Sequence, residues 1–64
     1  MDIEFSAPFQ AQPLDDEGDP VGKVIKLPAG TYRLSGPVHD DGTAWVRDQT
    51  GRLYEAHNVR AGLG

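Results

Sequence analysis

Thr43-Ala44-Trp45-Val46-Arg47-Asp48-Gln49-Thr50-Gly51-Arg52-Leu53-Tyr54-Glu55 is the stretch on which the fold turns. Its first five residues are rich in β-branched and aromatic side chains, which fit a pleated surface, and alternation puts Ala44 and Val46 on one face and Trp45 and Arg47 on the other. Asp48-Gln49-Thr50-Gly51 has the composition of a type I turn closed by a left-handed residue, so Gly51 is expected at positive φ with a bulge beside it. Arg52 to Glu55 then pairs back and completes a hairpin. The choice between Leu53 and Tyr54 as the inward residue stays open.

Upstream, Thr31-Tyr32-Arg33-Leu34 alternates in the same way, and Ser35-Gly36-Pro37 ends it. Lys23-Val24-Ile25-Lys26-Leu27 is a further β-branched run, which stops at Pro28-Ala29-Gly30, where the chain kinks or reverses. Ile3-Glu4-Phe5 forms a first short strand. The segment from Ser6 to Val21, with Pro8, Pro13, Pro20, Gly18 and four acids, reads as one long loop. His39-Asp40-Asp41-Gly42 is a second turn. Ala56 to Arg60 is a short terminal segment, and residues 61–64 read as a loose tail on a single domain spanning 1–60. Eight glycines and five prolines punctuate the 64 residues too often for a helix-length amphipathic segment. The expected class is therefore all-β, with a core drawn from Ile3, Phe5, Val24, Ile25, Leu27, Leu34, Ala44, Val46, Leu53 and Val59.

Composition narrows the function. With no cysteine there is neither a disulfide framework nor a thiolate metal site, which fits a reducing, cytoplasmic setting. No apolar run approaches a membrane span, and the first residues are acidic where a signal peptide is basic. Residues 1–20 hold six acids and no base, whereas residues 21–64 are mildly basic, for a net charge of −4. Phosphate binding relies on a concentrated cationic surface, so direct nucleic-acid binding is not expected. A protein or peptide carrying basic residues is the expected partner.

The order of elements resembles the Src-homology-3 (SH3) barrel and its bacterial SH3-like relatives. The likeness runs from residue 3 to residue 60, by pattern more than by identity. It is carried by Leu27-Pro28-Ala29-Gly30-Thr31-Tyr32-Arg33-Leu34, by Trp45 at the opening of a strand, and by Gly51 through Val59. It implies a small five-stranded barrel with a long acidic loop after strand 1, and a surface Trp facing a ligand. Glu55 and Asn58 fall near positions where that family offers a Pro and a Tyr to its peptide groove. Phe5 and Phe9 stand in for its paired tyrosines.

These readings converge on a binding surface made of Trp45, the acidic residues Asp15, Asp16, Glu17 and Asp19, and Phe9 with Asn58. Trp45 supplies a flat apolar wall with an indole donor, and the carboxylates suit an Arg or Lys on the partner. The alternative roles for these residues are core filling for Trp45 and a solvated, solubilising loop for the acids. Counting from Asp15, a calcium loop needs Gly at the sixth position and Glu at the twelfth, where Pro20 and Lys26 stand. Turn chemistry accounts for His39-Asp40-Asp41-Gly42 without a metal, and neither Ser6 nor Ser35 lies in a nucleophile elbow. The expected function is non-catalytic binding, with no cofactor and no metal. One alternative is a small acidic inhibitor that imitates a phosphate backbone, and a remote one is a pore enzyme assembled from several copies.

Overall fold

A computed structural model of the chain describes residues 1–59; residue 60 and the expected tail at 61–64 lie outside the described residues. Among the described residues there are six strands: β1 (Asp2–Phe5), β2 (Phe9–Pro13), β3 (Ile25–Leu27), β4 (Gly30–Leu34), β5 (Ala44–Arg47) and β6 (Leu53–Ala56). They form one antiparallel sheet in the order β1-β4-β5-β6-β2-β3. The all-β class is as the sequence implies. The five-stranded count is corrected to six, and the sheet is not closed by pairing its edge strands β1 and β3.

The extra strand lies inside the segment read as a loop. Phe9-Gln10-Ala11-Gln12-Pro13 alternates apolar and polar residues, and its prolines sit at the strand end and just before its start, where no ladder hydrogen bond is lost. Residues 2–13 and 25–34 are two arms of one long hairpin. Each arm is kinked, with Ser6-Ala7-Pro8 opposite Pro28-Ala29, so the register moves from Phe5↔Gly30 to Phe9↔Leu27. Three residues facing two bend the arms together, and Phe5 and Phe9 end up stacked with ring centroids 3.7 Å apart. Tyr32 meets both rings edge-on, at 5.7 and 5.1 Å. Phe9 is therefore a core residue, 5% exposed.

Across the interior from these rings the sheet is lined with small residues. Ala11, Ala56 and Ala44 stand in register on β2, β6 and β5, each 0% exposed. A row without bulk lets the sheet curl and admits the aromatic cluster, which Ile3, Leu27, Val46, Tyr54 and Val59 complete. Both Leu53 and Tyr54 are buried, on opposite faces: Tyr54 joins the main core, while Leu53 is buried outside it together with Leu14. Val24 and Ile25, expected in the core, are 46% and 41% exposed. Ile25 shares the face of Leu27, but it sits on an edge strand, where little lies over it. Leu34 is half-buried against the core.

One turn design recurs at three tips of the molecule. In Asp15–Asp19, His39–Thr43 and Asp48–Arg52 the first residue's N–H donates to the fifth residue's carbonyl, and the fourth residue's N–H donates back to the first residue's carbonyl. The fourth residue is Gly18, Gly42 or Gly51, with φ of +86°, +85° and +85°. A side chain at that φ meets the following carbonyl, which is why glycine stands there. Asp15 and Asp48 brace their turns alike, with Oδ1 accepting N–H groups two and four residues ahead.

Candidate functional site

β5 alternates as its sequence implies: Ala44 and Val46 are buried, Trp45 and Arg47 half-buried on the outer face. Trp45 is opposite Glu55 on β6, which is opposite Gln12 on β2. Gln12 Nε2 donates to the carbonyls of Pro13, Val21 and Gly22, at 3.1, 3.2 and 3.2 Å, and so fastens the return limb of the β2–β3 connection to the sheet. Leu14 N–H donates to the Leu53 carbonyl at 3.0 Å, tying the outgoing limb to β6. The acid-rich connection therefore lies back over the outer face. Its tip reaches the indole: a Cβ placed on Gly18 would fall 2.6 Å from Trp45 Cη2.

The structure thus brings Trp45 and the segment Asp15–Asp19 together, which spacing in the sequence does not show. The four acids do not share one role. Asp15 Oδ1 accepts the N–H groups of Glu17 and Asp19, both at 2.9 Å, and holds the tip in shape. Asp16, Glu17 and Asp19 are exposed, and their carboxylates make no ion pair or hydrogen bond among the described residues. Glu55, opposite the indole, adds a further carboxylate, with His57 Nε2 at 3.4 Å from its Oε1.

Asn58 lies further along this face. His57 and Asn58 line a shallow concavity of 220 Å³ with Pro8, Gln10 and Lys26, and the buried Phe9 forms part of its floor. Asn58 has φ +54°, a left-handed conformation that asparagine tolerates better than most residues. Two further concavities, of 510 Å³ and 380 Å³, flank the Asp48–Gly51 turn.

At the turn joining β5 to β6, burial opposes ionisation of Asp48. Hydrogen bonds from the Thr50 hydroxyl, the N–H groups of Arg52 and Thr50 and the Tyr54 hydroxyl outweigh it and hold the carboxyl below the ordinary value. Asp41 is lowered through bonds from the Thr43 hydroxyl and N–H. Burial raises the Tyr32 phenol, with Asp48 and Tyr54 adding to the effect; its hydroxyl donates to the Pro28 carbonyl at 2.8 Å. His39 Nδ1 lies 3.0 Å from Thr43 Oγ1, inside its own turn. Among the described residues no three His, Cys, Asp or Glu side chains are placed to share a metal ion, and no helix is long and apolar enough to cross a membrane.

Sequence reasoning did not place Gln12, Gly18 or Glu55 beside Trp45, whose surroundings they set. The alternation around Gln12 was visible; the contact of Gly18 with the indole is made across 27 residues and leaves no local signal. Compared with known proteins, the chain matches no family model, no curated protein and no solved structure.

Proposed function

We propose that this protein is a non-catalytic interaction module that grips a basic protein segment on the outer face of β5, β6 and β2. One observation carries the reading: the tip glycine of the acid-rich connection is seated against a half-buried Trp45, so apolar area and three uncommitted carboxylates lie side by side. An aromatic anchor next to negative charge suits a segment with Lys or Arg beside an apolar residue, the aromatic and its burial giving affinity and the carboxylates speeding and orienting encounter. An SH3-like architecture is in keeping with this use of the face, with Glu55 and Asn58 in place of that family's groove residues. The partner class is thus a protein or peptide, met without cofactor, and the setting is the cytoplasm.

Peptides selected from a random display library should be enriched in Lys or Arg near an aromatic or aliphatic residue. Trp45→Ala should weaken the selected peptides by about 2 kcal/mol or more while leaving the circular dichroism unchanged. Combining Asp16→Asn, Glu17→Gln and Asp19→Asn should slow association and flatten its salt dependence, with Asp15 kept to preserve the turn. Equal binding to Trp45→Ala and wild type would place the site elsewhere.

A further inference from the structure

On the outer face, one row of residues runs in register across four strands: Asp2 on β1, Arg33 on β4, Arg47 on β5 and Leu53 on β6. Two arginines therefore stand directly opposite each other on neighbouring strands, an arrangement in which like charges repel. Both line the 510 Å³ concavity beside the Asp48–Gly51 turn. Arg47 Nη1 donates to the Gly51 carbonyl at 2.8 Å, which fixes its guanidinium at the rim but leaves its charge unpaired. The Arg33 side chain is exposed, and its guanidinium makes no ion pair or hydrogen bond among the described residues.

Two carboxylates share the concavity and neither answers this charge. Asp2 faces Arg33 in register, yet no ion pair forms between them. Asp48 is already committed: Oδ1 accepts from Thr50 N–H, Thr50 hydroxyl and Arg52 N–H, and Oδ2 from the Tyr54 hydroxyl. What remains is a pair of planar, permanently charged donor forks open to solvent, one of them fixed in place.

We propose that Arg33 and Arg47 form a binding site for an oxyanion, a phosphate monoester or a carboxylate, bridged between the two guanidinium groups. Such a group removes the cross-strand repulsion and takes charge-assisted hydrogen bonds in the geometry that arginine favours. The site goes beyond the Trp45 reading and does not depend on it, because an anion can be titrated without any partner.

The test is a titration of the full chain, followed through the arginine Nε–Hε resonances, with inorganic phosphate, with acetate and with chloride at matched ionic strength. Saturable shifts of Arg33 and Arg47 with phosphate alone identify a phosphate ligand; saturation with acetate as well identifies a carboxylate. Arg33→Gln and Arg47→Gln should each weaken binding by about tenfold or more. Arg33→Lys, which keeps the charge and the fold but loses the fork, should weaken it less. Asp2→Asn, which removes the neighbouring negative charge, should tighten it. No saturation with either anion, or equal shifts in the Gln variants, overturns the proposal, and neither result bears on Trp45.

Discussion

Gly18 and Gly51 occupy the same place in the same turn, at φ of +86° and +85°, but differ in surroundings. Around Gly51 a Cβ would meet nothing within 4 Å, whereas at Gly18 it would press on Trp45. Gly51→Ala should therefore cost only the left-handed strain, about 1–2 kcal/mol. Gly18→Ala should cost about 1 kcal/mol or more beyond that, since the indole must give way. Denaturant midpoints measure both, and the Trp45 emission should move in Gly18→Ala alone; equal costs with unmoved emission would mean that the loop does not rest on the indole. Asp48 makes a pH prediction. Its folded value is below its ordinary 3.8, so the stability it contributes is present above that value and is lost as pH falls through the lower one. Acid unfolding of Asp48→Asn should accordingly be shallower below about pH 4 than that of wild type, and parallel curves would show the carboxylate to be unimportant.

At the scale of strands, β2 and β3 exchange the roles the sequence suggests. Phe9→Ala should cost about 3–5 kcal/mol, which approaches the whole stability of a domain of this size, about 3–10 kcal/mol, and the variant should be largely unfolded at physiological temperature by circular dichroism. Ile25→Thr, at an exposed edge, should stay within about 1 kcal/mol of wild type. The hairpin β5–β6 was legible because it is local: alternation, turn composition and the Gly51 requirement all act within a dozen residues. β2 was not, because Pro8 and Pro13 are loop residues by composition, and only the kink opposite Pro28-Ala29 and the pairing of Pro13 with Tyr54 on β6 leave room for a strand between them. Val24 and Ile25 have good strand composition, but burial depends on what packs above: Ile25 sits on an edge strand that removes that cover, and Val24 precedes the strand. For the candidate site, the outward side of Trp45 follows from its neighbours, while its partnership with Gly18 and Glu55 comes from tertiary folding.

Over the whole molecule the outer face is electrically divided. The acidic tip and Glu55 surround Trp45, and Arg33 and Arg47 stand one row away, so the face is a dipolar strip within a chain of net charge −4. The alanine row Ala11-Ala56-Ala44 has a consequence of a different kind, for the order of events in folding. The β5–β6 hairpin, the β4–β5 pair and the long hairpin of residues 2–34 join segments adjacent in the chain, whereas β2 must find β6 across more than forty residues. Such a distant pairing has the largest loop-closure cost and is expected last. Ala11 and Ala56 meet at that seam. An enlarged side chain there, as in Ala56→Val, should chiefly accelerate unfolding in a stopped-flow chevron, while the tip variant Gly51→Ala should chiefly slow refolding. The zipper that completes the sheet thus has an alanine pair at its buried point, and its grip would set how long the folded state survives between openings.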